Sequence, residues 1–118
     1  MTRDDFRLFA ERWANAWNTH DLEAILSHYD DGAELVSPVA GQLLGIPGGR
    51  VVGKDNLREY FQRGLQAYPG LRFELKDVLV GVNSVVLYYV NQKGTCTAEH
   101  MKLSDEGKVT SVAAHYSL

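Results

Sequence analysis

The stretch Ser84–Ser117, SVVLYYVNQKGTCTAEHMKLSDEGKVTSVAAHYS, is where the fold can be read. Its residues alternate with a period of two, and Lys93-Gly94 and Asp105-Glu106-Gly107 supply turns between the runs. With the preceding segment 71–82 and a turn at Asn83-Ser84, this predicts strands over 71–82, 84–93, 95–104 and 109–117 in an antiparallel meander. In 95–104, Thr97, Glu99, Met101 and Leu103 share one face, and Cys96, Ala98, His100 and Lys102 share the other. Met101 and Leu103 are apolar, so their face is the one expected to be covered. On the last strand Val112, Ala114 and Tyr116 are expected inside, with Ser111, Ala113 and His115 outside. A one-residue slip would reverse these assignments and bring a histidine inside. Val85–Val90 is apolar on both faces, which suggests helices on one side and a partner subunit on the other.

Upstream, the period changes to that of helices. Phe6, Phe9, Ala10, Trp13 and Trp17 form one stripe over residues 4–18. Asp21 suits the N-cap of a short second helix carrying Leu22, Ile25, Leu26 and Tyr29, ended by Asp30-Asp31-Gly32. A short strand is expected over 33–37, stopped by Pro38. Residues 54–67 read as a third helix with Leu57, Tyr60, Phe61 and Leu65 on one face. Between them, Gly41–Gly53 holds five glycines and one proline in thirteen residues, and reads as a loop folded over something apolar. It lacks the Gly-Lys-Ser/Thr ending of a phosphate-binding loop. Three helices, one interrupting strand and then a meander make an α+β pattern: helices packed on a strongly curved mixed or antiparallel sheet, with an interior pocket.

The 118 residues suit one domain spanning 1–118, long enough to bury a core without a metal or disulfide staple. A net charge of −3 gives no electrostatic footprint for nucleic acid or an anionic membrane. Cys96 is the single cysteine, and no Cys/His set has metal-ligand spacing, so neither a metal nor another cofactor is expected. The N-terminus has no apolar run suited to a signal peptide or a membrane span, which makes a cytoplasmic location the expectation.

Several segments, in this order, resemble the ketosteroid-isomerase and SnoaL-like branch of the nuclear-transport-factor-2-like (NTF2-like) superfamily. They are Asp21-Leu22-Glu23-Ala24-Ile25 with Tyr29-Asp30-Asp31-Gly32-Ala33, Ser37-Pro38-Val39, Gly53-Lys54-Asp55-Asn56-Leu57 with Tyr60-Phe61, and Glu99–Leu103 with Gly107-Lys108-Val109 and His115-Tyr116-Ser117. The resemblance implies a cone-shaped fold. It also implies three catalytic positions: a tyrosine on the first helix, an aspartate base at the end of the first strand and a protonated acid on a late strand, held neutral by apolar surroundings. Those positions fall on Trp13, Ser37 and Glu99. An indole N–H donates one hydrogen bond but has no acid chemistry, and serine has no carboxylate to act as base. Steroid isomerisation by the family mechanism is therefore not expected.

What remains is one acid in an apolar pocket, where desolvation should keep Glu99 neutral and able to act as acid or donor. The residues expected around a small hydrophobic ligand are Trp13, Trp17, Ser37, Tyr60, Phe61, Met101, Val112 and Tyr116, although for the two tryptophans and Tyr60 packing in the core is the favoured reading. His28 is expected on a solvated helix face, and His20 at the helix–helix break. Two functions fit: a cofactor-free isomerase, cyclase, lyase or hydrolase using Glu99, or a non-catalytic ligand-binding or dimerisation module. Partner recognition through an exposed groove is a third and weaker reading.

Overall fold

A computed structural model describes residues 1–118. Helix α1 (Arg3–Asn18) begins at a capping box, in which Thr2 accepts from the Asp5 N–H and Asp5 accepts from the Thr2 N–H. Its buried stripe is Phe6, Phe9, Ala10, Trp13, Ala14, Ala16 and Trp17. Asn18 then reaches across the chain: its amide donates to the Phe73 carbonyl at 2.9 Å and accepts from the Phe73 N–H at 2.7 Å. His20 adopts a left-handed φ of 55° at the break, with its ring Nε2 2.9 Å from the Leu71 carbonyl. Asp21 caps α2 (Leu22–Leu26) through the Ala24 N–H.

Strand β1 runs over Tyr29–Val36, longer than the expected 33–37. Asp30, Asp31 and Gly32 therefore lie inside a strand rather than ending a helix. Pairing explains the extension, because β1 lies parallel to β6 from Tyr29↔Val109 to Val36↔Ala113. Such long-range partners leave no local signal in the sequence.

The expected Gly-rich loop is mostly ordered into elements. Helix α3 (Pro38–Leu44), a 3-10 turn (Pro47–Gly49) and strand β2 (Arg50–Val52) fill it, so the chain has four α-helices rather than three. Ser37 caps α3 through the Val39 N–H, and Pro38 occupies the first turn, where no amide hydrogen is needed. Gly45, with φ of 65°, ends the helix. At Gly49 (φ 61°) a Cβ would lie 2.1 Å from the Ser37 carbonyl oxygen, so only glycine permits the Ser37 N–H to bond the Gly49 carbonyl at 3.0 Å.

Helix α4 (Lys54–Ala67) matches its expected span, as do the cores of β3 (Glu74–Gly81), β4 (Ser84–Val90), β5 (Cys96–Leu103) and β6 (Val109–Tyr116). The six strands form one curved mixed sheet in the order β2-β1-β6-β5-β4-β3. Register shifts between Leu75 and Asp77 and between Lys102 and Leu103 bend it. The expected parity holds: Thr97, Glu99, Met101 and Leu103 are buried, while Cys96, Ala98, His100 and Lys102 lie on the outer face. No helix is long and apolar enough to cross a membrane.

Candidate functional site

A cavity of about 500 Å³ opens between α1, α3, α4 and the concave face of the sheet. Trp17, Ser37, Tyr60, Phe61, Glu99 and Tyr116 line it. Trp13, Met101 and Val112, expected beside a ligand, do not. Trp13 is completely buried, stacked on Phe73 with ring centroids 5.6 Å apart. Met101 is likewise fully buried, and Val112 lies opposite it in the adjacent strand. All three share the correct face of their element but sit too far along it, at the end where the interior is filled. Period alone assigns a face; depth along that face depends on what packs opposite.

Glu99 is the one acidic side chain on the cavity wall. It pairs laterally with Leu87 on one side and Ala114 on the other, and neither neighbour can stabilise a charge. Burial pushes its carboxyl up to about 7, and a hydrogen bond from Tyr89 acts in the opposite direction. The Tyr89 hydroxyl donates to Oε2. Oε1 has no protein partner, so the acid proton placed there is free to be donated to a ligand. Tyr89 is itself fixed by Phe73 (ring centroids 4.3 Å) and Trp13 (5.6 Å).

Phenols dominate the remaining polar surface, and sequence reasoning missed Tyr29 and Tyr89 among them. Helical spacing puts Tyr29 on the buried stripe of the second helix, and Tyr89 sits within a run that is apolar on both faces. Strand alternation could have found Tyr89, since it lies on the same face as Leu87. Burial raises the phenol pKa of Tyr29, Tyr89, Tyr116 and Tyr60, the last to about 12, and the nearby Glu99 carboxyl adds to each rise. These groups are hydrogen-bond donors rather than bases at neutral pH. The Ser37 hydroxyl lies close enough to Tyr60 and Tyr116 to oppose that shift slightly, while itself capping α3. Ser37 is thus held in place at the cavity wall without a group that could abstract a proton.

The mouth is polar. Asn91 donates to Thr97 Oγ1 at 2.8 Å and accepts from the Lys93 N–H and the Thr95 hydroxyl at 3.0 and 3.1 Å. Lys93, the one cationic lining residue, lies 5.7 Å over the Tyr68 ring. His100 and His115 lie on the outer sheet face, away from the cavity. His28 departs from its expected solvated setting: it is half-buried, edge-on to Phe9 at 5.6 Å, and burial lowers its pKa with Lys108 and Arg12 contributing.

A model of the SnoaL-like domain matches residues 10–118. The structure is similar to a SnoaL-like protein of unknown function from Burkholderia thailandensis, with 39% identity, a TM-score of 0.94 and coverage of 99% of this chain and 98% of that one. It is also similar to a proposed isomerase of the SnoaL-like family from Agrobacterium tumefaciens (17% identity, TM-score 0.77, coverage 98% and 99%). A proposed polyketide cyclase from Sinorhizobium meliloti is similar at 11% identity, with a TM-score of 0.78 and coverage of 98% and 100%. The last two likenesses concern the fold alone. No match to a curated protein is found.

Proposed function

The chain belongs to the SnoaL-like domain family, and from that premise we propose that its cavity takes a compact, largely apolar molecule whose carbonyl or hydroxyl oxygen meets Glu99. The carrying observation is a single buried acid whose Oε1 is unpartnered and whose carboxyl is pushed up to about 7. Such a group donates a hydrogen bond or a proton at neutral pH, where an ordinary carboxylate would repel an electron-rich oxygen. Chemistry of the isomerase, cyclase or lyase type fits this arrangement, with Glu99 polarising the oxygen. The proton shuttle of ketosteroid isomerisation does not fit, since Ser37 is no base and the raised phenols are not either. Descriptions of the Agrobacterium and Sinorhizobium proteins as proposed isomerase and cyclase support the same reaction classes.

The test follows hydrogen–deuterium exchange and turnover across small ketones and hydroxyaromatics by NMR, comparing the wild type with Glu99→Gln. The expected outcome is turnover that falls roughly a hundred-fold or more in the variant. Unchanged turnover would remove Glu99 from the chemistry. Saturable binding with every ligand recovered intact would favour the second reading, a non-catalytic binding module, which the missing base supports.

We also infer a second copy of the chain against the outer sheet face. Leu79 and Tyr88 are 52% and 39% exposed there, beside the small residues Ala98 and Ala113. Light scattering should report a dimer that Tyr88→Lys converts to monomer; a monomeric wild type would overturn this inference.

A further inference from the structure

The rim of the cavity carries a charge that the rest of its lining does not answer. It forms where the end of α4, at Tyr68, meets the turn between β4 and β5. Asn91 locks that turn. Its N–H donates to the Thr95 carbonyl at 2.9 Å, its carbonyl accepts from the Gly94 N–H at 2.9 Å, and its Oδ1 accepts from the Lys93 N–H and the Thr95 hydroxyl. Gly94 closes the turn with a φ of 76°. Lys93 is therefore presented from a fixed backbone, with its ammonium over the Tyr68 ring. It belongs to none of the protein's ion pairs. Its neighbour Gln92 also lines the rim, and its Oε1 is enclosed without a donor, so no hydrogen bond pins that oxygen in place.

Further in, the lining offers no second cation and no other acidic side chain than Glu99, which burial pushes toward its neutral form. Cys96, the first residue of β5, stands three positions before Glu99, so the rim lies about 10 Å from the acid along the strand. A molecule spanning that space would meet a hydrogen-bond donor at the closed end and an unpaired ammonium at the open one. We propose that Lys93 is a specificity-determining residue and that the ligands of this cavity are carboxylic acids, compact ring compounds with an oxygen at Glu99 and a carboxylate at Lys93. This rests on the reading that Glu99 meets the ligand's oxygen. The Gln92 amide, turned over, offers an N–H to the same carboxylate. A buried polar group without a partner is costly, and a carboxylate at the rim would give this one an acceptor. The ion pair would be part-exposed, so it selects among ligands more than it supplies their affinity.

The probes are 4′-hydroxybiphenyl-4-carboxylate and its carboxamide, which share their rings and hydroxyl and differ in charge. Titration calorimetry at low ionic strength should show the wild type binding the acid roughly three- to ten-fold more tightly than the carboxamide, as one part-exposed ion pair would give. Lys93→Met should bring the ratio of the two affinities close to one, and Lys93→Arg should keep it. Added salt should narrow the ratio in the wild type, because it screens exposed charges. Equal affinities in the wild type, with both probes weakened by Glu99→Met, would overturn the role of Lys93 and leave that of Glu99. A preference for the acid that survives in Lys93→Met would also overturn it, by placing the selecting charge elsewhere. No saturable binding of either probe would overturn this assignment together with the reading of Glu99 on which it rests.

Discussion

The two ends of strand β5 differ more than their sequence spacing suggests. At one end Met101 and Leu103 are buried in a filled interior with Trp13, Ile25, Leu57 and Val109. Two residues before Met101 on the same face, Glu99 looks onto the cavity. Strand β6 repeats the contrast, with Val112 in the filled end and Ala114 on the cavity wall. The filled end gains stability from burial, and the hollow end gives part of it up. What separates the ends is the size of the opposing residues. Gly64 of α4 and Ala114 of β6 present almost no bulk to the cavity, and a Cβ added at Gly64 would meet nothing within 4 Å. The lesson is that hollowness here comes from small residues on facing elements, and that burial among the same walls raises the pKa of the acid.

The largest effect should come from breaking the filled end. Trp13→Ala should cost about 3–5 kcal/mol, because it empties a fully buried site and leaves the Tyr29 oxygen without its donor. Urea unfolding would measure it, and a loss below about 1 kcal/mol would show that this end is not the tightly filled one.

The hollow end should respond with the opposite sign. Glu99 is neutral in folded and unfolded chains below about pH 4.5. Between about 4.5 and 7 the unfolded chain has released the proton while the folded chain still holds it, so stability falls as pH rises. Above about pH 7 the loss is complete, on the order of 3 kcal/mol. Glu99→Gln should therefore be more stable than the wild type at pH 8 by up to about that amount, and should lack this pH dependence. Equal stability at pH 5 and pH 8 in the wild type, once other groups are allowed for by the variant, would contradict a neutral buried acid.

A smaller change tests what holds that acid. Tyr89→Phe removes the hydrogen bond that lowers the Glu99 pKa, so the carboxyl should titrate above about 7. Carbon-13 NMR of the glutamate carboxyl would follow it. A shift downward would mean that Tyr89 does not stabilise the charged form. The stability change should be about 1 kcal/mol.

The smallest expected effect concerns the void. Gly64 lies inside α4 without a positive φ and with open space at its Cβ. Gly64→Ala should stabilise the protein by about 0.5–1 kcal/mol through helix propensity while slightly narrowing the cavity. A loss of stability, seen as a lower melting temperature, would mean the space is already occupied.

Much of this contrast could be read from the chain, and some of it could not. Alternation in 95–104 placed Glu99 inside, because each strand residue must face one side or the other and Met101 and Leu103 settle which. The helical stripe over 4–18 and the span 54–67 were similarly legible. The Gly41–Gly53 segment was not: its glycines signal permissive backbone, but α3 and β2 depend on Ser37 approaching Gly49 and on β1 pairing with β2. The stripe of Trp13 faces inward, while its actual depth is set by Phe73, just before β3, and by Tyr89 of β4.

By itself, the sequence determined the helices over 4–18 and 54–67, the four-strand meander, the faces of its last two strands and the identity of the buried acid, because period and residue chemistry are local properties. Tertiary structure alone decided which inward residues pack and which line the cavity. It also turned Trp13 into a donor for Tyr29 and set Tyr89 against Glu99. Those relations join residues far apart in the chain, and they exist only once the curved sheet brings β1, β4 and β5 around the same space.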